Sequence, residues 1–154
     1  MVRLRRLFLI IVAIIVAFIF LFWNAYGIGF GFPVKFETVE KKQLGGRWGP
    51  PKVGYHVIQS VEEWMEVFGE PLPEIDFSKK TVIAVCLGTF THSGYAIEIR
   101  QIVDTGLTVV VKVYFITFVD KVYLPVLTTP YHVFTISKVN KPIIFKTFEV
   151  MEDC

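Results

Sequence analysis

At 154 residues the chain is long enough for one ordinary domain and a short appendage, and too short for two domains. Its hydrophobic fraction of 53% and mean hydropathy of +0.55 are high, but the excess sits at one end. From Pro33 onward 57 of 122 residues are of the AVILMFWYC type, an ordinary globular share. The formal charge is +2; without Arg3, Arg5 and Arg6 the chain carries 13 basic against 14 acidic residues, which excludes the basic footprint of a nucleic-acid binder.

The first predicted element is a membrane anchor. Every residue from Leu7 to Trp23 is apolar. About 20 such residues span a hydrocarbon layer of roughly 30 Å. Ala25, Tyr26, Ile28 and Phe30 extend the stretch, and Trp23 and Tyr26 suit the far interface. Three arginines precede the run and no basic residue follows it before Lys35, which predicts a cytoplasmic N-terminus and an extracytoplasmic domain, a single-pass signal-anchor. A cleaved signal peptide has a shorter apolar core and a small-residue cleavage site; this run ends in Phe-Trp-Asn-Ala-Tyr. Residues 1–32 therefore read as anchor and exit segment, and 33–154 as the domain.

Within the domain, Val34–Val39 reads as a strand and Gln43–Lys52 as a surface loop, with Trp48 folded over the core. Tyr55–Gln59 is a short strand. Ser60, with Glu63 three residues on, forms a capping box that opens one helix. Val61, Trp64, Met65 and Phe68 place an apolar face on that helix, Gly69 suits its C-terminal turn, and Pro71 prevents its resumption. Beyond Pro73 the pattern is β. Thr81–Leu87 is a continuous apolar run, expected to be buried on both faces. Gly94–Val103 alternates, Asp104-Thr105-Gly106 turns, and Leu107–Ile116 returns as a hairpin partner. Strands follow at Pro130–Ile136 and Ile143–Val150. The fold class expected is mainly β (α+β): a small antiparallel sheet or barrel-like domain with one packed helix. Cys86, Tyr95, Ile97, Ile99, Trp64 and Phe68 are expected in its core.

Residues with chemistry are scattered. His56, His92 and His132 are too far apart in sequence for a close metal-ligand pair, so no metal site and no cofactor are expected. His92-Ser93-Gly94 lacks the G-x-S-x-G elbow and reads as a turn; no carboxylate pair suggests a general acid and base. The expectation is that the chain is not an enzyme. Cys86 reads as a buried, inert thiol, and pairing with Cys154 stays open.

From Lys80 to Lys138 the order of features is distinctive: an apolar strand ending at Gly88; Thr91-His-Ser-Gly-Tyr-Ala-Ile-Glu-Ile99; a turn; Leu107-Thr-Val-Val-Val-Lys-Val113; and Thr129-Pro-Tyr-His-Val-Phe-Thr-Ile-Ser-Lys138. This layout resembles the C-terminal domain of the PrcB family of protease complex subunits. Ser93 stands where that family usually has glycine, and Thr117–Val122 replaces its Pro- and Gly-rich stretch. The resemblance implies an extracytoplasmic β-rich domain that supports a partner protease. Thr91, His92, Ser93, Gly94, Tyr95, Tyr131 and His132 are the candidate partner-binding residues. The alternative is a small-molecule or carbohydrate-binding module with Trp48, Tyr95 and Tyr123 as an aromatic platform.

Overall fold

The computed structural model describes residues 2–25, 31–42, 52–69, 74–119 and 123–153. Trp48 and most of its loop, Tyr26, Pro71 and Cys154 lie outside the described residues. The chain divides into two compact units, residues 1–32 and 33–154.

The first unit contains a 24-residue helix α1, Val2–Ala25. Its side chains are described from residue 8 to 19, about 18 Å of helix at 1.5 Å per residue. Among the described residues no helix is long and apolar enough to cross a membrane, so the expected helix is present and the expected span is not found.

Strand β1 (Phe32–Pro33) falls on the boundary, and the second unit holds β2 (Glu37–Lys42), β3 (Gly54–Ile58), β4 (Lys80–Cys86), β5 (Tyr95–Asp104), β6 (Val109–Val119), β7 (Tyr131–Ser137) and β8 (Ile143–Asp153), with helix α2 (Val61–Phe68) between β3 and β4. They form two four-stranded sheets, ordered β1-β5-β6-β8 and β2-β7-β4-β3. β4 and β7 pair over seven residues, from Lys80 opposite Ser137 to Cys86 opposite Tyr131. Alternation then sends side chains to opposite faces. Ile83 and Val85 of β4, with Phe134 and Ile136 of β7, meet Ile97, Ile99, Ile102, Val109, Val111 and Val113 of the first sheet. Val82, Ala84, Cys86, Tyr131 and Val133 face the other way, onto Ile58, Trp64 and Phe68. The architecture is thus sheet, sheet, helix, with β4 buried on both faces as its apolar run predicts. The expected single core is two: Cys86, Trp64 and Phe68 lie on the helix side, Ile97 and Ile99 between the sheets.

α2 begins where the capping signal places it. Ser60 Oγ accepts from Glu63 N–H at 3.2 Å, and the Glu63 carboxylate accepts from Gln59 N–H at 2.5 Å. Gly69, at φ 69°, closes the helix by donating its N–H to Met65 O at 2.9 Å. The apolar face is narrower than its spacing suggests. Trp64 and Phe68 are buried and stack at 4.1 Å, while Val61 and Met65 stay 46% and 44% exposed. Two turns over one sheet cannot cover the whole stripe.

The β2–β7, β3–β4, β4–β7 and β5–β6 pairs are antiparallel, and β6 with β8 is parallel. The intervening strand β7 belongs to the second sheet, so the chain reverses there and comes back to the first sheet in the direction of β6.

The two sheets are also joined by a polar bridge. His132 of β7 is 2% exposed. Its Nδ1 accepts from the Ile99 N–H at 3.2 Å, next to the bulge in β5 between Ile99 and Gln101. That bond leaves the ring proton on Nε2, which donates to Thr38 Oγ1 of β2 at 3.0 Å. Burial, helped by the charge of Lys41 and opposed by Glu98, holds the imidazole down at about 4.

Two outcomes follow from this packing. Trp64→Ala should cost about 3–5 kcal/mol and Ile97→Ala about 2–5 kcal/mol in urea unfolding, through lost burial and a cavity. A loss below about 1 kcal/mol for either would contradict the core assignment. His132 makes stability fall with acid. Above about pH 6.5 the ring is neutral in both states and the bridge is intact; below it the unfolded chain binds a proton that the folded chain refuses until about pH 4. Stability should therefore decline across that window by up to ~3 kcal/mol. His132→Gln should be less stable at pH 7 and should show a shallower decline between pH 6.5 and 4.

Candidate functional site

The Thr-His-Ser-Gly-Tyr segment connects β4, in one sheet, to β5, in the other. It lies against residues 123–129, which lead from β6 back to β7. Both connections leave the same end of the sandwich, and backbone bonds lock them together. Phe90 and Thr128 form an isolated antiparallel bridge, with N–H to O distances of 2.8 and 2.9 Å. Ser93 N–H donates to Leu124 O at 3.2 Å, and Leu124 N–H donates to Ser93 Oγ at 3.1 Å. Thr128 Oγ1 donates to His92 O at 2.9 Å, and the Thr89 and Thr129 hydroxyls meet at 3.1 Å. The result is a clasp across the end of the two sheets.

Aromatic rings fill it. The His92 ring lies 4.7 Å from Tyr95 and 4.8 Å from Tyr123. Tyr95 packs on Phe90 at 4.4 Å and on Phe115 at 5.4 Å. Tyr123 also donates its hydroxyl proton to Phe118 O, and Phe118 N–H donates to Gly94 O at 3.0 Å. At Gly94 the backbone lies against the ring of Tyr123 from the other connection. A Cβ there would sit 2.4 Å from Tyr123 Cε1 and 2.9 Å from His92 Nδ1. Glycine is needed for this approach of backbone to ring, and its N–H donates to His92 Nδ1 at 3.2 Å.

The clasp brings five of the seven candidate residues together. Thr91 is exposed, His92, Ser93 and Tyr95 are half-buried, and Gly94 is buried. Tyr131 and His132 lie beyond it and inside the domain, at 1% and 2% exposure. Tyr131 faces the helix-side core, where burial, with Glu40 nearby, pushes its phenol up. His132 holds the sheets together. Cys86 is a free, buried thiol whose ionisation burial disfavours, partly offset by the Gly88 N–H. Among the described residues no three His, Cys, Asp or Glu side chains gather as a metal site.

The sequence reading named Tyr123 for an aromatic platform and missed the rest of the outer rim, Leu124 and Leu127. Tyr123, Leu124 and Leu127 are 38%, 61% and 69% exposed beside the clasp, an apolar patch on a loop held by two rigid strands. Leu124 and Leu127 flank Pro125 between two β stretches, a loop signal with uncharacteristically apolar content.

Gly94→Ala tests the clasp. It should destabilise the domain by about 1–3 kcal/mol through overpacking, and Tyr123→Ala in the same chain should recover part of the loss. Equal stability of Gly94→Ala and the parent would mean that the two connections are not in contact.

No curated protein and no solved structure matches the chain at a significant level. The stretch that a family model does match begins with β4 and ends with β7, and so takes in the doubly buried ladder, the hairpin packed on it and the whole clasp. Residues 81–137 match the family described as PrcB C-terminal, the family whose layout the sequence resembles.

Proposed function

We propose that the chain is a binding or assembly subunit that supports a protease complex, held to a membrane by its N-terminal helix with the β domain outside the cytoplasm. The match to the PrcB C-terminal family supports association with a protease. The observation that carries the location is the exposed Tyr123-Leu124 and Leu127 patch on the clasp. Exposed apolar groups on a rigidly held loop are what a protein partner buries. The aromatic rings at this end pack on one another, which favours a protein partner over an aromatic platform for a small ligand. A non-enzymatic role is supported by the use of Ser93 Oγ and His92 Nδ1 as acceptors for the Leu124 and Gly94 amides. Anchoring rests on the uninterrupted apolar run Leu7–Trp23 and the three arginines before it.

Thr91→Ala and the pair Leu124→Asn with Leu127→Asn change exposed side chains and should alter stability by no more than about 0.5 kcal/mol each. In chains purified from detergent-solubilised membranes, the Leu124/Leu127 variant should lose a protease that the parent recovers. Full recovery of the same protease by a folded variant would remove the clasp as the contact surface. For the anchor, intact-mass measurement should find Met1–Trp23 retained; a mature chain starting near Ala25–Gly31 would replace the anchor with a signal peptide.

A further inference from the structure

A sheet edge presents a row of free N–H and C=O groups, and folded proteins usually blunt it with short strands, proline, bulges or charge. Three of the four edges here are blunted. β1 is two residues long and ends in Pro33. β2 carries Glu37, Glu40, Lys41 and Lys42 and a bulge between Thr38 and Glu40. β3 has five residues and begins with Gly54. β8 is different. It runs for 11 residues, Ile143–Asp153, without proline and in unbroken register with β6. Among the described residues no strand pairs with its other side. Ile144 and Met151 are 45% and 78% exposed on it.

The direction of its free groups can be derived. Val109, opposite Ile143, donates its N–H to Pro142 O at 2.9 Å. In a parallel ladder this makes the even positions of β8 bond to β6 and turns the odd positions, 143 to 153, toward the open edge. Among the described residues, the contacts of β8 with β3 leave that edge free. Tyr55 stacks on Phe145 at 4.8 Å and shares a 2.7 Å hydrogen bond with Thr147 Oγ1, both through side chains.

We propose that β8 pairs antiparallel with β8 of a second copy of this chain, about a two-fold axis through Thr147. This register sets Ile143 opposite Met151, Ile144 opposite Val150, Phe145 opposite Glu149, Lys146 opposite Phe148, and Thr147 opposite itself. Odd positions face odd positions, so every free donor and acceptor from 143 to 151 finds a partner. Ile143 and Ile144 meet Met151 and Val150, the threonines meet, Glu149 and Lys146 face the rings of Phe145 and Phe148, and no like charges face each other. An axis through Glu149 would put two carboxylates face to face. One through Phe148 would set Ile144 against Glu152. Of these three registers the one through Thr147 avoids facing carboxylates and sets fewer charges against apolar residues than the one through Phe148; this self-pairing selects a second copy as the occupant and joins two first sheets into one eight-stranded sheet.

The test uses the full chain in density-matched detergent, followed by sedimentation equilibrium. The parent should dimerise with concentration. Thr147→Lys sets two lysines together on the axis, and Thr147→Pro removes the N–H at the centre of the free edge while leaving the β6 ladder intact. Each should weaken dimerisation roughly tenfold or more. Leu107→Lys, in the β5–β6 turn, should leave it unchanged. Circular dichroism confirms folding, and Thr147→Lys remains informative if the proline variant unfolds. A parent that stays monomeric, or a folded Thr147→Lys chain that dimerises as the parent does, through α1 or elsewhere, overturns the proposal. The outcome is independent of the clasp.

Discussion

The structure depends on the β4–β7 ladder. Both strands are buried on both faces; α2 and the β5–β6 hairpin cover those faces, and β2 and β3 pair along the ladder's two edges. Val82, Ala84 and Cys86 need cover on one side, which α2 supplies with Trp64 and Phe68. Ile83, Val85, Phe134 and Ile136 need cover on the other, which β5 and β6 supply. A strand with apolar side chains on both faces has no stable place at a surface, so the three layers follow from it. One of the polar groups admitted to this interior, His132, has a partner on each ring nitrogen, and those partners come from both sheets.

Because β4 and β7 lie in one sheet and β5 and β6 in the other, the chain must cross between sheets twice at one end. The clasp is the solution to that crossing. Two connections of irregular backbone satisfy each other's hydrogen bonds, and the rings of His92, Tyr95 and Tyr123 close the gap that remains. A connection fixed in this way can display apolar side chains without collapsing onto them. That is the link between the fold and the proposed binding role: the exposed Leu124 and Leu127 sit on a connection tied down by these bonds.

Much of this was legible in the residues. The run Thr81–Leu87 announced a doubly buried strand, and Ser60, Glu63 and Gly69 announced both ends of α2, because these signals are local. The hairpin of β5 and β6 was legible from alternation and the Asp104-Thr105-Gly106 turn. Other features depend on contacts distant in sequence. Nothing near His132 indicates that its partners are 33 and 94 residues away. Hydropathy alternation describes β8 equally well as parallel or antiparallel, so its parallel pairing with β6 was not legible. Val61 and Met65 fit the apolar stripe of α2, but the width of the surface it covers is a property of the sheet. Gly94 was legible as a turn glycine; its reason, the ring of Tyr123, was not.

The central claim is that the clasp end of the domain meets a protease. Photo-crosslinking in native membranes tests it most directly, with the reactive group placed either at Leu127, on the clasp, or at Leu107, in the turn at the opposite end of the same sheet. Both positions are exposed, at 69% and 85%. The account predicts a crosslinked protease from position 127 and none from position 107. Crosslinks of equal yield from both, or from 107 alone, would contradict it.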